Sequence, residues 1–353
     1  VIYAGAVEFA FFLARPLDDI ITEVEEQFSL GKKFFLFDNS SESLFVEWIK
    51  KIQKVAEHFT DIPNKNFVMI TGASNGTDTY KKYCEENNIL DPITVLGGNF
   101  FEVFFGRHEQ GIRHLTKEYQ IKIKEKKFLC FNKVHRPHRV YFVVRFLENK
   151  LIDQAYYSFQ GSNENWINEF MRYHHFDKRT LFLLPKHQKK FPMVLNISNQ
   201  RHNPVDLIED DLKYFENSYF SLVNETYFFN DVKYSMAPET VDSIFITEKT
   251  AKCLTLRHPF VLACRPHSLK LLRVQGYKTF SPYIDESYDS EEDDFKRLDM
   301  IAREVERLCQ FTDEQWLEWQ SNIKDIVDHN YIAFISQKIN VPDDILNMFK
   351  SVE

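Results

Sequence analysis

Glycine is scarce in this chain: 10 of 353 residues, less than half of the roughly 7% found in an average protein. That excludes collagen-like, low-complexity and glycine-linker architectures. It also leaves little material for glycine-rich phosphate loops, so a nucleotide site would have to be built from side chains and helix N-termini. Cysteine is scarce as well. The five present (Cys84, Cys130, Cys253, Cys264, Cys309) form no CxxC and show no metal-ligand spacing. Their number is odd and they sit mostly among apolar residues, so buried reduced thiols in a cytoplasmic protein are expected. No apolar run approaches the ~18 uncharged residues of a membrane span. Basic charge is short too: 44 Lys and Arg against 52 Asp and Glu give a net charge of −8. This argues against wholesale non-specific nucleic-acid binding but leaves room for a local basic cleft. The apolar start VIYAGAVEFAFFLARP lacks a basic n-region and contains Glu8; a first strand is expected there rather than a signal peptide.

Phenylalanine, by contrast, is abundant at 34 residues, and it falls in strand and helix runs as core material. At roughly 100–200 residues per domain, the length predicts two domains. Short apolar runs alternate with amphipathic stretches: strands at KKFFLFD (32–38), NFVMITG (66–72) and PITVLGG (92–98), with helices over 41–59, opened by Ser41, and over about 77–87. Such alternation indicates βαβ units and a parallel sheet. The polar, lysine-rich stretch 106–127 is the expected boundary. A second series follows: strands at 127–132, 155–159, 219–226, 243–246 and 258–264, and helices at 136–149, 164–174 and 267–276, the last stopped at Gly276. From Asp294 onward the pattern is helical, with three helices expected. The predicted fold is α/β, with an N-terminal domain over 1–120, a second over 121–310 and a helical C-terminal tail over 311–353 that braces the two.

Several motifs have plain structural explanations. TGASNG (71–76) follows a strand, yet only Gly72 and Gly76 are present and no GxGxxG can be written, so a strand-to-helix turn is expected rather than a dinucleotide site. The acidic run between Asp285 and Asp294 suits a loop feeding a helix N-terminus. Glu209-Asp210-Asp211 follows an apolar run, and adjacent carboxylates can hold a hard cation against a diphosphate. His174-His175 matches no metal or catalytic spacing.

A constellation in the second half carries more. FLCFNKVHRPHR (128–139) ends a strand with Asn132 and brings Arg136 and Arg139 to the start of a helix. Free N–H groups and the positive end of the helix dipole favour an anion there, and arginines add bidentate donors. FITEKTAKCL (245–254) puts Thr247, Glu248 and Lys249 at the mouth of another helix. Thr can cap, Glu can accept from sugar hydroxyls, and Lys can neutralise a phosphate. Glu225, after YFSLVN, supplies another carboxylate at a strand end. In open α/β sheets the ligand crevice lies at the C-terminal strand ends.

These residues, with SLVNET and FITEKTAKCLTLRHPFVLACRPHSLKLLRVQGYKTFSPYIDESYD, resemble the donor-binding half of glycosyltransferases with two facing Rossmann-like domains (the GT-B type). The resemblance is to α-1,3-fucosyltransferases and related viral and bacterial enzymes, and it covers roughly residues 127–310. It implies that Asn132 with Arg136 or Arg139 contacts the diphosphate, that Glu248 and Lys249 bind ribose and phosphate, and that Glu225 belongs to the donor motif. The order Asn-Glu-Thr at 224–226 departs from the family's Phe-Glu-Asn, and Phe245 stands where a tyrosine is usual. The implied reaction is inverting transfer of a sugar from a nucleotide-diphosphate sugar, as co-substrate, to an acceptor hydroxyl, with no metal or other cofactor. A carboxylate of the first domain acts as base, Asp38 or Glu102 being the candidates. The acceptor is a glycan or another hydroxyl-bearing molecule, modified DNA bases included. Two other readings are a metal-dependent GT-A-like enzyme using Asp210 and Asp211, and a non-catalytic glycan- or nucleic-acid-binding module drawing on aromatics and on KHQKK (186–190).

Overall fold

The computed structural model describes residues 2–4, 14–32, 34–40, 42–98, 118–161, 165–172, 175–195, 209–234 and 242–336. The chain divides into two compact units: Val1–Val103 with Pro238–Ile246 and Gln337–Glu353, and Phe104–Ala237 with Thr247–Ser336. Both are α/β with parallel sheets, an organisation compatible with Rossmann-like domains. The break after Val103 precedes the lysine-rich stretch singled out in the sequence, and the chain crosses between units again at Ile246–Thr247.

In the first unit, β1 (Ile2–Ala4), β2 (Phe35–Asn39), β3 (Phe67–Thr71) and β4 (Thr94–Gly97) lie in sequential order, every neighbour parallel. Helices α1 (Leu17–Ser29), α2 (Val46–His58) and α3 (Gly76–Glu86) connect them. Strand period decides the packing. Phe35, Phe37, Phe67 and Met69 join the larger core with Ile49, Ile52 and Val55 of α2. The alternate positions Leu36 and Val68 join a smaller cluster with Phe34 on the other face. Helix α1 was not anticipated, and α2 begins at Val46 rather than Ser41: the apolar residues Leu44 and Phe45 ahead of it are taken into the core instead of into its first turn.

TGASNG is a packing turn. A Cβ on Gly72 would meet the Ser40 carbonyl at 2.5 Å and Phe245 at 2.7 Å, and Gly76 faces Gly97 as closely. The expected strand 243–246 does not form. Its backbone docks on this turn instead: Ser74 N donates to the Ile244 carbonyl at 2.8 Å, and Ile244 N donates to Asn75 Oδ1 at 2.7 Å. Those groups are then spent on a loop rather than on a ladder.

In the second unit the order is β6-β5-β7-β8, all parallel, for β5 (Lys126–Asn132), β6 (Ala155–Phe159), β7 (Ser218–Asn224) and β8 (Phe260–Ala263). Every residue of β7 is buried, which explains its nearly continuous apolar run. Helix α4 (Pro137–Glu148) starts with proline at its first position, where no N–H is needed. Short helices α5 (Trp166–Phe170) and α6 (Lys178–Leu183) follow β6, and α7 (Glu209–Glu216) precedes β7. Helices α8 (Glu248–Thr255) and α9 (Ser268–Val274) flank β8, and α9 is followed by Gly276 at φ +94°, a conformation suited to glycine. Two further helices, α10 (Asp294–Cys309) and α11 (Asp313–Ser336), close the described chain, and both belong to the second unit; a third expected helix falls beyond Ser336, outside the described residues. Arg145 of α4 holds Asp299 and Glu306 of α10 at 2.5 and 2.6 Å, and Trp316 of α11 stacks on Tyr219 of β7 at 4.0 Å. Among the described residues no helix is long and apolar enough to cross a membrane.

Candidate functional site

The order β6-β5-β7-β8 reverses between β5 and β7: the chain leaves β5 toward β6 on one side and continues from β7 to β8 on the other. Loops diverge from such a point and leave a crevice at the C-terminal strand ends. The sequential order of the first unit's described strands has no such reversal.

A cavity of about 300 Å³ opens in the second unit, lined by the last residues of β5 and β7 and by one side of α8. Its cationic groups are Lys133, Arg139, Lys249 and Lys252, against the one carboxylate of Glu248. Phe131, Phe215, Leu129 and Leu222 give it an apolar wall, and Asn132, Ser158, Gln160 and Asn224 add neutral polar groups. Apolar walls with a few converging polar groups are the usual composition of a small-molecule site.

The sequence-selected residues that the structure describes have definite places. Asn132 ends β5, is buried, and donates from Nδ2 to Cys130 Sγ at 3.1 Å. Its Oδ1 accepts from Asn224 Nδ2 at 3.0 Å. Arg139 is held by backbone carbonyls, donating to Val134 at 3.2 Å and to Asn224 at 3.1 Å. Burial, aided by repulsion from Arg136, brings its pKa down to about 10, so it stays cationic at neutral pH. Its Nε has no hydrogen-bond partner. Arg136, the cap of α4, stands over the Tyr227 ring at 5.9 Å. His138 between them donates from Nε2 to the Glu225 carbonyl at 3.0 Å and stacks on Phe228; burial first, then Arg139 and Arg136, hold it well below the usual histidine range, hence neutral.

Glu225 is fully buried. Its carboxylate accepts from Thr247 N (3.0 Å), Thr247 Oγ1 (2.5 Å) and Thr250 Oγ1 (2.6 Å). It thus faces the N-terminus of α8 and is not among the residues that line the cavity. The helix dipole and the free N–H groups account for a carboxylate there. Thr247 is the N-cap of α8. Lys249 Nζ lies 2.8 Å from Thr247 Oγ1, 3.0 Å from Glu248 and 3.6 Å from Glu225, with about a quarter of its side chain exposed. Burial pushes the Glu248 carboxyl up, but the charge and hydrogen bond of Lys249 outweigh this and leave it below its ordinary value.

Asp38 is the penultimate residue of β2 in the first unit, buried, and accepts from Ser40 N at 3.0 Å. Glu102 and His174 lie outside the described residues. Asp211 is buried in α7; the side chains of Glu209 and Asp210 lie outside the described residues. His175 Nε2 meets the Lys233 carbonyl at 2.9 Å. The second acidic run is structural: Asp293 caps α10, Asp294 pairs with Arg297 at 2.6 Å, and Asp289 accepts from Leu269 N and Lys270 N at the start of α9. Among the described residues no cluster of three or more His, Cys, Asp or Glu is arranged to hold a metal.

Sequence reasoning overlooked Lys133, Ser158, Gln160, Asn224 and Lys252. Lys252 carried a signal, since it follows Lys249 by three residues and so shares its helix face. Ser158 and Gln160 carried none, because only the pairing of β6 with β5 brings them to this edge. No family model, curated protein or solved structure matches the chain.

Proposed function

We propose that the second unit binds a nucleotide-diphosphate sugar at the C-terminal edge of its sheet, and that the protein is a glycosyltransferase with two Rossmann-like domains. One observation carries this reading: a cavity lined by four cations and one carboxylate sits where the strand order reverses. The volume suits a nucleotide-sized ligand. Lys249, with Lys133 and Lys252, is assigned to the diphosphate. Glu248 is assigned to a ribose hydroxyl, which a carboxylate accepts, and the aromatic wall to the base or sugar.

In the reaction the acceptor oxygen bonds to the anomeric carbon as the carbon–oxygen bond to the diphosphate breaks. The acceptor's proton passes to a carboxylate, and the departing diphosphate is stabilised by the lysines. Attack opposite the leaving group inverts the anomeric centre. Asp38 and Glu102, each placed after an apolar run of the first domain, are the candidates for that base, and the lysine-borne diphosphate needs no metal in this scheme.

The test is a binding screen of nucleoside diphosphates and their sugars by thermal shift. A ligand at 100 times its Kd raises stability by about 2.7 kcal/mol. A shift that Lys249→Ala abolishes supports the reading, followed by sugar-transfer assays with the nucleotide so identified. Silence across the panel overturns it.

A further inference from the structure

A second cavity, of about 120 Å³, lies at the other edge of the same sheet. Its walls come from residues 118–124 ahead of β5, from the end of α7 ahead of β7, and from Leu256–His258 ahead of β8. All four strands are parallel, so this is the N-terminal edge, away from the reversal-point crevice. Phe215 of α7 lines both cavities.

Two neutral polar groups are buried in this lining without a partner. Tyr119 is 8% exposed and its hydroxyl has no hydrogen bond; His258 is 3% exposed and its Nε2 has none. Leaving such groups unpaired costs roughly 1–3 kcal/mol each, so their placement together calls for a ligand or solvent to satisfy them. Beside them is Lys124, whose ammonium lies 5.6 Å from the Tyr119 ring centroid. The wall that carries Tyr119 and Lys124 is fixed. Gln320 of α11 accepts from Lys122 N at 3.4 Å and donates to its carbonyl at 3.0 Å, while Lys124 N donates to the Tyr219 hydroxyl at 3.0 Å.

We propose that this cavity is a binding site for a small oxyanion, held by the Lys124 ammonium and the Tyr119 hydroxyl, with His258 Nε2 left to accept from a bound water or from the ion's own proton. A phosphate, a sulfate or a small carboxylate shares that chemistry, and the volume holds little more than such an ion with water. The charged groups around Lys124 agree. Arg257 is already paired with Asp328 at 2.8 Å. Glu118 and Lys122 are at the exposed rim, and Glu216 is half-buried. Burial first, then repulsion from Lys122, which exceeds the attraction of Glu216, brings Lys124 down to about 8. His258 is held neutral by burial first and then by Lys124. An anion would relieve this excess of positive charge. Binding it raises the Lys124 pKa, so affinity falls as pH rises past about 8.

The experiment is titration calorimetry of the whole chain with sodium sulfate and, separately, sodium acetate, for the parent protein and for Tyr119→Phe, Lys124→Met and Lys249→Ala. Sulfate or acetate should bind the parent. Affinity should fall about tenfold in Tyr119→Phe, further in Lys124→Met, and not at all in Lys249→Ala. Acetate bound in preference to sulfate assigns the ligand as a carboxylate. Should Lys124→Met not fold, Tyr119→Phe and the pH dependence of the parent decide. No binding of either ion, or affinity unchanged in Tyr119→Phe and Lys124→Met, overturns the site. Binding lost in Lys249→Ala overturns it too, and assigns the ion to the nucleotide cavity.

Discussion

Thr247 gives both its backbone N–H and its hydroxyl to the Glu225 carboxylate, at 3.0 and 2.5 Å. The two residues stand 22 apart, one after β7 and one at the head of α8, and this junction ties the start of α8 to the end of β7. Lys249 and Glu248 follow Thr247 directly, so a buried acid anchors the turn that carries two residues proposed to bind the nucleotide.

Replacing Glu225 should therefore cost both stability and binding. In Glu225→Gln the amide retains one acceptor oxygen for three donors, and the loss should be about 1–3 kcal/mol; in Glu225→Ala it should be larger. Urea denaturation reads the stability. Nucleotide titration of the still-folded Gln variant should give weaker binding than in the parent, and unchanged binding would separate the junction from the site.

Lys249 acts chiefly on binding. Its side chain is partly exposed, but it pairs with Glu248 and lies near the buried Glu225, so Lys249→Ala should lower the urea midpoint by less than Glu225→Ala does. A charge-assisted bond to phosphate contributes about 1.5–3 kcal/mol, so nucleoside diphosphate affinity should fall by roughly 10- to 100-fold. Urea denaturation measures the first quantity and titration calorimetry the second.

Gly72→Ala tests the reading of TGASNG as packing. The added Cβ meets backbone at 2.5 Å, and such overpacking costs typically about 1–3 kcal/mol. Thermal unfolding should show the loss. Nucleotide affinity per folded molecule should not change, whereas a phosphate-binding role for this turn would make it fall.

The cysteines should be inert in the native state. All five are buried and reduced. Burial raises the Cys84 thiol and pushes Cys130, Cys253, Cys264 and Cys309 up to about 12, so almost no thiolate exists at neutral pH. Ellman's reagent should react only on unfolding. Because these folded-state values are raised, the thiols' contribution is complete below the unfolded value near 9 and is lost as pH rises toward 12. A urea midpoint that falls over that alkaline window checks it.

Much of this chain was legible because local pattern dictates local structure. Alternating apolar runs and amphipathic stretches revealed the strands β2 to β8, apart from the false strand at 243–246. Scarce glycine pointed to side-chain phosphate binding, and Asn132 ends β5 as expected, whereas Glu248 and Lys249 open α8 without the strand expected before them. Helix α1 and the delayed start of α2 were missed, because capping signals compete with core demand that only packing reveals.

What the sequence determined by itself is which segments become strands or helices, since hydrophobic period and turn chemistry act over a few residues. Tertiary structure alone decided the order β6-β5-β7-β8, the inward turn of Glu225, the anchoring of Arg139 on carbonyls 85 and 86 residues away, and the placing of Tyr119 and His258 in the lining of one cavity. These depend on which elements pack together across long stretches of chain. The free energy that selects them, burial of apolar faces and satisfaction of buried polar groups, is summed over the whole unit and is not written in any one segment.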